Sequence, residues 1–413
     1  MGRILEVYLQ DHYAGQLHQE NSGKLTWTYD SDYIAQEKLA ISLSLPLQPM
    51  PFTGNVVKAF FSGLLPDDIA RHRLARYLGV SEKNPFALLE SIGGECAGAL
   101  SLYPEGMSPT PDTTQDHEVL DDLKLQDILN LLKKRPLLAG EDGLRLSLAG
   151  AQDKIAVSVR GAQIVLVRGS HPTTHILKPL IADLRDSVYN ELFCTRLATA
   201  IGVEAPHAEI RYLNETPYFL IERYDRSKAA NGQILRVHQE DFCQALGILP
   251  ELKYEREGGP SFMQCQNLLQ QYGLYPAADR IRLLDRILYN YLIGNADAHG
   301  KNFSLLYHDK KPVLAPAYDL FSTAIYPELA LKMAMKIGTE YHPDRVFLRH
   351  WEMLVPDTKL AKKNLHKKCH HLAQTCLEQA RTLQHTLNTE GLHSPIFEDI
   401  CLVIQKRGMQ FTY

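Results

Sequence analysis

The sequence predicts an α+β fold with a small β-rich N-terminal subdomain, a sheet-rich lobe and a helical lobe. Three observations support this fold class. Strand-like segments separated by turn residues occupy the first 50 residues. Strand-like runs return between 146 and 226, with one helical segment among them. From 238 onward the pattern is mainly helical.

The N-terminal subdomain is assigned to residues 1–108. A helix is expected over about Asp67–Leu78, capped by an aspartate at its start. The stretch NPFALLESIGGECAGALSLYP predicts a helix, a glycine break and a strand. EGMSPTPDTTQDH (105–117) is rich in Pro, Thr and Asp and is the predicted linker. The three predicted strands of this subdomain are ILEVYL, GKLTWTY and LAISLSLPL.

The sheet-rich lobe is assigned to 118–236 and the helical lobe to 237–413. A sheet lobe on a helical lobe leaves a cleft, and clefts of this kind commonly hold nucleotides. The helical lobe is interrupted by FSLLYHDKKPVLAPAYDL, which predicts a hairpin with DKK at its turn. The sheet-rich lobe is predicted to contain a helix near 124–133, a hairpin of IAVSV and IVLV, the strand THILK, a helix over Ser187–Ile201 and the strand YFLIERYDR.

Composition narrows the function classes. A net charge of −4 excludes a general polycation, so any nucleic-acid contact requires a local patch or a partner. The seven cysteines form no CxxC pair, which indicates reduced thiols in a cytoplasmic protein. We expect no signal peptide and no membrane span, since acidic residues precede any long apolar run and no run approaches about 20 residues.

The residues needed for phosphoryl transfer occur in a sensible order. Lys178 lies on a predicted strand, where it either contacts nucleotide phosphates or is a solvated edge lysine, and Glu191 on the next helix could pair with it. Asp297 and Asn302 have the spacing of the catalytic Asp and Asn of protein kinases. The predicted hairpin returns Asp319 to Asn302, giving an oxygen site for Mg²⁺ or simply a polar hairpin end.

The loop LSLAGAQDK (146–154) is small and flexible enough to lie over phosphates. It matches neither the dinucleotide fingerprint nor the P-loop, so its composition alone is a weak indication. The candidate phosphate-contacting residues of this loop are Ala149, Gly150, Ala151, Gln152, Asp153 and Lys154.

Three further features have two interpretations each. His299, in the middle of GNADAHGKN, either contacts the substrate or hydrogen-bonds within its loop. Gln239, in HQEDF, either belongs to a helix cap or contacts the ligand. The run KLAKKNLHKKCHH (359–371) is either a solvated helix face or a surface that approaches DNA phosphates.

An ordered set of motifs resembles the HipA family of serine/threonine-kinase toxins from HipBA toxin–antitoxin modules. The resemblance covers most of the chain, and the last ~90 residues lack clear signatures. In the N-terminal subdomain the motifs are FFSGLLPD and IGGECAGAL. Across 147–322 they are SLAGAQDK, THILK, YNELFC, ERYDR, HQEDFCQALG, YEREGGP, GNADAHGKNFS and PAYDL.

The resemblance implies a two-lobed core like those of phosphoinositide-3/4-kinases and protein kinases. It implies that Asp297 is the catalytic residue, that Asn302 and Asp319 bind Mg²⁺, and that Lys178 binds ATP. It also matches Glu222 and Tyr224 to the adenine hinge, where the family often has Phe rather than Tyr, and Ser147 to an autophosphorylated serine. With the residue patterns, the predicted nucleotide-binding set is Lys178, Glu222, Tyr224, Ser147, Ala149, Gly150, Ala151, Gln152, Asp153, Lys154, Gln239, His299, Lys301, Asn302 and Asp319.

The function implied by the resemblance is a Mg²⁺- and ATP-dependent kinase toxin that phosphorylates a translation-related protein, with glutamyl-tRNA synthetase as the family precedent. The implied partners are a HipB-like helix-turn-helix antitoxin and, through it, operator DNA. Two other functions stay open. One is a small-molecule phosphotransferase on the same core. The other is a catalytically silent corepressor that binds antitoxin and DNA.

Overall fold

A computed structural model describes residues 2–109 and 117–411 and divides the chain into two compact units. Both units contain helices and strands, as the predicted α+β class requires. The first unit consists of Met1–Pro179, Arg211–Leu252 and Leu305–Lys311, and the second of Leu180–Ile210, Lys253–Ser304 and Pro312–Tyr413.

The N-terminal part of the first unit is a five-stranded sheet with the order β4-β3-β2-β1-β5. Its strands bury alternate side chains, as Leu5, Val7 and Leu9 do on β1, because successive residues of a strand face opposite sides of the sheet. The elements are β1 Arg3–Leu9, β2 His12–Gln19, β3 Leu25–Tyr29, α1 Ser31–Ala35, β4 Phe52–Thr53, α2 Asn55–Gly63, α3 Asp68–Leu78, α4 Pro85–Ile92 and β5 Leu100–Pro104.

A six-stranded sheet with the order β10-β11-β9-β7-β8-β6 follows. The predicted IAVSV–IVLV hairpin is present as β7 and β8. The strands of this sheet are β6 His117–Leu120, β7 Ile155–Arg160, β8 Gln163–Val167, β9 His175–Pro179, β10 Ala208–Leu213 and β11 Thr216–Glu222. The other elements of this part of the chain are α5 Asp122–Leu132, α6 Ser187–Ala200, β12 Arg226–Lys228, β13 Ile234–Arg236, β14 Gln239–Asp241 and α7 Phe242–Ala245.

One hydrophobic core runs through the first unit. It contains Trp27 and Phe60 of the N-terminal part together with Leu177 and Leu220 of the six-stranded sheet. The division into domains 1–108, 118–236 and 237–413 stays a prediction. Of the predicted linker, residues 110–116 lie outside the described part of the chain.

The second unit is mainly helical. The predicted hairpin is present as β15 and β16, with its turn at Asp309 and Lys310. α11 is the longest helix and carries the basic run 359–371 at its start. The remaining helices are α8 Phe262–Tyr272, α9 Pro276–Ile293, α10 Leu348–Glu352, α11 Lys359–Thr389 and α12 Ile396–Gly408. The hairpin strands are β15 Ser304–His308 and β16 Lys311–Leu314, of which residues Leu305–Lys311 are assigned to the first unit.

The strand predicted for LAISLSLPL is wrong. Its residues form only an isolated bridge between Ser42 and Leu45. The hydroxyls of Ser42 and Ser44 donate instead to the carboxylate of Glu240 at 2.6 Å and to the carbonyl of Gln244 at 2.8 Å. These partners are about 200 residues away along the chain, so a local pattern could not reveal them.

No disulfide links the seven cysteines, all of which lie within the described residues and are buried. None of the helices in 2–109 and 117–411 has the length and apolar character that a bilayer span requires.

Candidate active site

The loop GNADAHGKN leaves the C-terminal end of α9 at a position that only glycine suits. Gly294 has a left-handed φ of 77°. A Cβ here would lie 2.6 Å from the Cβ of Ala324 and 2.8 Å from Cγ1 of Val403. Glycine therefore sets the direction in which the loop leaves its buried helix.

Asp297 is exposed at the tip of this loop. Its carboxylate accepts a hydrogen bond from the hydroxyl of Tyr254 at 2.7 Å. Its backbone N–H donates to Oδ1 of Asn295 at 3.1 Å, and its carbonyl accepts from Nδ2 of Asn302 at 3.4 Å and from the N–H of His299 at 2.7 Å. Side chains of the loop therefore fix the backbone of Asp297.

Asn295 links the two aspartates of the predicted site, and the sequence reasoning missed it. Its Nδ2 donates to Oδ1 of Asn290 at 2.8 Å and to the carbonyl of Asp319 at 3.4 Å. Its Oδ1 accepts the N–H of Asp297. Asp319 has a φ of 56°, a left-handed conformation in which Asp and Asn are enriched. A polar residue within GNADAHGKN was the only available signal for this role.

The hairpin brings Lys301 and Tyr318, the neighbours of Asn302 and Asp319, into contact. The hydroxyl of Tyr318 donates to the carbonyl of Lys301 at 2.6 Å and lies 2.7 Å from the hydroxyl of Ser304. The N–H of Ala315 donates to the carbonyl of Ser304 at 2.9 Å. Asp297, His299, Lys301, Asn302 and Asp319 therefore belong to one folded unit.

Asn302 and Asp319 provide the kind of oxygen atoms that Mg²⁺ binds. Because Nδ2 of Asn302 donates to a backbone carbonyl, the amide oxygen is directed elsewhere. The described residues contain no cluster of three or more His, Cys, Asp or Glu side chains suited to a metal. Mg²⁺ usually keeps waters and substrate phosphates alongside one or two protein ligands, so the pair fits Mg²⁺ delivered with a nucleotide.

His299 is buried and neutral. Burial, with a smaller effect from Lys253, lowers the pKa of His299 to about 3. Its ring meets that of Tyr254 edge-on at 5.4 Å, and its Nδ1 has no hydrogen-bond partner among the described residues. The packing against Tyr254 supports a role within the loop, and it leaves the substrate-contacting interpretation open.

Ser147 is fully buried in the first unit. Its hydroxyl donates to the carbonyl of Leu64 at 2.7 Å, and its N–H donates to the carbonyl of Glu95 at 2.8 Å. A phosphate could not fit at this hydroxyl, so phosphorylation of Ser147 would require this loop to leave its position.

Charged residues of the loop LSLAGAQDK hold the loop itself. Nζ of Lys154 donates to the carbonyl of Ala149 at 2.7 Å, and Asp153 forms an ion pair with Arg73 at 2.5 Å. Gly150 has a φ of 106°, and a Cβ there would lie 2.5 Å from Nζ of Lys154. Of the remaining candidates, Gln152 donates to the carbonyl of Pro179 at 3.3 Å and Ala151 is exposed.

The other predicted nucleotide contacts of the first unit lie on β9, β11 and β14 or just beyond them. Lys178 is buried, with Nζ 5.8 Å from the ring centroid of Phe219. Glu222 is exposed at the end of β11, and the hydroxyl of Tyr224 donates to Gln239. Glu191, the proposed partner of Lys178, is buried on α6 of the second unit.

A buried ion cluster lies within the ERYDR motif, and the sequence reasoning missed it. Arg223 pairs with Asp225 at 2.8 Å, and Arg226 pairs with Glu95 at 2.7 Å. Burial opposes ionisation of Asp225, but Arg223 and Arg226 outweigh it and hold the pKa of this carboxyl well below its usual range. The alternating charges of ERYDR directly after an apolar strand could have indicated this ion cluster. Nothing around Glu95 in IGGEC indicated that it takes part.

The fold matches a solved structure over nearly its whole length. That structure is the complex of HipA, HipB and operator DNA from Shewanella oneidensis, with a TM-score of 0.81, 27% sequence identity and coverage of 98% of this chain and 95% of that chain. The predicted α+β class is therefore confirmed.

Family models and relatives agree with this match. The HipA N-terminal domain model matches residues 5–103 and the HipA-like C-terminal domain model matches 146–382. A putative kinase of Sinorhizobium fredii is 42% identical over 389 residues, 93% of each chain. The serine/threonine-protein kinase toxin HipA of Shewanella oneidensis is 30% identical over 358 residues, 83% of this chain and 80% of that protein. The chain belongs to the HipA family of kinases.

Proposed function

We propose that the protein is a Mg²⁺- and ATP-dependent serine/threonine protein kinase that acts as the toxin of a HipBA-type module. The observation that carries the proposal is the arrangement of the loop GNADAHGKN in the second unit, in which Asn295 links Asp297 and Asp319. Kinases need little covalent chemistry from the protein, so the positions of these polar groups are most of the catalytic machinery.

Each residue then has one role. The exposed carboxylate of Asp297 orients the substrate hydroxyl and receives its proton. Asn302 and Asp319 would hold Mg²⁺, which would neutralise charge on the nucleotide phosphates. In the first unit, Lys178 is proposed to contact nucleotide phosphates, and Glu222 with Tyr224 to hold the adenine. The loop carrying Ser147 covers the phosphates, with Lys154 and Asp153 keeping it in shape.

We also propose an antitoxin partner and a protein substrate. The solved relative is a complex of HipA, HipB and operator DNA, and the family models match both ends of the HipA architecture. A HipB-like antitoxin, with operator DNA reached through it, is therefore the proposed assembly. The proposed substrate is a translation-related protein, with glutamyl-tRNA synthetase as the first to test.

Labelling with γ-labelled ATP tests the reaction. Wild-type protein and its Asp297→Ala variant are incubated with Mg²⁺ and a cell lysate, and purified glutamyl-tRNA synthetase is tested separately. A labelled protein band that the variant does not produce is expected. Label confined to small molecules would instead indicate a small-molecule phosphotransferase.

Mass spectrometry of the purified protein must come first, because phosphorylation at Ser147 would silence it. If the unphosphorylated protein labels nothing, the kinase proposal is refuted in favour of a silent corepressor. Antitoxin and operator binding by that same sample would then be measured directly.

A further inference from the structure

Tyr254 makes a direct contact with the proposed catalytic carboxylate. Its hydroxyl donates to Oδ1 of Asp297 at 2.7 Å, across 43 positions of sequence. A hydrogen bond from a hydroxyl to an ionised carboxylate is among the stronger ones in proteins. Asp297 is exposed, and this donor restricts rotation of its side chain.

The backbone around this tyrosine is anchored on both sides. The carbonyl of Lys253 accepts the N–H of Gly300 at 3.2 Å, which joins the segment to the catalytic loop. The N–H of Glu255 donates to the carbonyl of Ala334 at 3.0 Å. The carboxylate of Glu255 accepts from the N–H of Lys336 at 2.8 Å and from its Nζ at 3.1 Å.

The ring of Tyr254 is also held. His299 meets it edge-on at 5.4 Å and an interplanar angle of 87°. Nζ of Lys253 lies 5.7 Å and Cζ of Arg256 lies 5.8 Å from the ring centroid, both within the range of a cation–π interaction. A ring fixed by three neighbours directs its hydroxyl at one place, which is the carboxylate of Asp297.

We propose that Tyr254 is the positioning residue for Asp297, a role that rests on the proposed kinase function. During transfer, the substrate oxygen bonds to the γ-phosphorus of ATP as the bond to the bridging oxygen breaks and ADP leaves. The hydroxyl proton of the substrate passes to Asp297, and Tyr254 keeps its own proton. A carboxylate has about four lone-pair sites, so it accepts both hydroxyls at once.

Tyr254→Phe tests this role by deleting one oxygen atom from a half-buried side chain. The rate of labelling of the lysate band at saturating ATP is expected to fall about 10- to 100-fold, as loss of a hydrogen bond to a charged group implies. The KM for ATP is expected to stay unchanged. Tyr272→Phe is the matched control, since that tyrosine is exposed in the same unit and its hydroxyl accepts from Gln271 at 2.9 Å.

Two results would overturn the proposal. An unchanged rate in Tyr254→Phe would show that Asp297 needs no such support. A faster rate would show that the tyrosine hydroxyl occupies the place of the substrate hydroxyl and blocks it.

A spectroscopic measurement separates this inference from the kinase proposal. With 3-fluorotyrosine at position 254, the ¹⁹F resonance is expected to move when Asp297→Asn is introduced and to stay in place with Glu378→Gln, an exposed change on α11. A resonance that does not move when Asp297→Asn is introduced refutes the contact between Tyr254 and Asp297, whether or not the protein transfers phosphate. Wild-type protein that is unphosphorylated at Ser147 and labels nothing refutes the kinase proposal instead.

Discussion

Asp297 and Asp225 are two aspartates with opposite surroundings. Asp225 is buried and paired with Arg223 and Arg226, so its charge is neutralised within the fold. Asp297 is exposed, and its carboxylate accepts a hydrogen bond from the hydroxyl of Tyr254. The difference indicates that the first aspartate stabilises the fold and that the second is presented to a ligand.

Asparagine at position 297 gives the largest expected effect. Asp297→Asn removes the group that receives the proton, so the labelling rate is expected to fall by about 10²–10⁴-fold. Because the side chain is exposed, the free energy of unfolding is expected to change by less than about 0.5 kcal/mol. Labelling with γ-labelled ATP and urea unfolding measure the two quantities. A clear fall in the free energy of unfolding of Asp297→Asn would contradict the contrast drawn with Asp225.

The same substitution at position 225 is expected to act on stability. Asp225→Asn leaves Arg223 buried without its full counter-charge, and breaking such a pair costs about 3–5 kcal/mol. Urea unfolding of the wild type, Asp225→Asn and Asp297→Asn at pH 7 measures the difference. A loss of less than about 1 kcal/mol for Asp225→Asn would contradict the structural role.

The contribution of Asp225 to stability is also expected to depend on pH. The pKa of Asp225 is lowered in the folded state, so its contribution is present above the unfolded pKa of about 3.9 and is lost as pH falls through the folded value. The stability gap between wild type and Asp225→Asn is therefore expected to narrow below about pH 4. Urea unfolding at pH 6, 4 and 3 follows the gap, and a gap that widens in acid would be inconsistent with the sign of this shift.

Local pattern revealed much of the fold, and long-range contacts account for what it missed. Alternating apolar residues gave β1, the β7–β8 hairpin and the β15–β16 hairpin correctly. The pattern of LAISLSLPL failed because Ser42 and Ser44 find partners about 200 residues away. The continuous core of the first unit could not be predicted either, since no local spacing in the sequence relates Trp27 to Leu220.

The candidate site divides in the same way. Asp297, Asn302 and Asp319 could be proposed because their spacing and the hairpin relate them along the sequence. Tyr254 could not, since it reaches Asp297 from 43 positions away and its own motif has no known chemistry. Neither could the use of Lys154 as a loop support, because a lysine four residues after a glycine in a loop equally suggests a phosphate contact.

A charged side chain in place of Ser147 is expected to lower nucleotide affinity, an effect of intermediate size among these predictions. Ser147→Glu cannot keep the hydrogen bond to Leu64 in a buried position, so the loop is displaced and nucleotide affinity falls. A loss of about 1–3 kcal/mol, roughly 5- to 150-fold in Kd, corresponds to burying one unsatisfied group. Calorimetric titration with ATP and Mg²⁺ measures it, with Ser147→Ala as control. Equal affinity in Ser147→Glu and wild type would contradict the prediction.

Charge reversal in the basic run on α11 is expected to have the smallest effect, which would be on operator binding. Lys362 pairs with Asp357 at 2.8 Å and Lys368 with Asp285 at 2.5 Å, whereas Lys363 and Lys367 are exposed and four residues apart on one face. If this face approaches DNA in the antitoxin complex, Lys363→Glu with Lys367→Glu is expected to lower the salt slope of operator binding by about 1 per lost contact. Titrations at several salt concentrations measure the slope. An unchanged slope would leave a solvated helix face.

The single core of the first unit has a consequence for synthesis on the ribosome. Its core residues extend from Leu5 to Leu220, so this core cannot be completed until about half of the chain has been made. At about 5–20 residues per second, that takes roughly 11–44 s. Throughout that interval the core side chains of the N-terminal sheet, such as Trp27, lack part of their packing partners. Chaperones and proteases therefore meet the N-terminal sheet before its packing is complete.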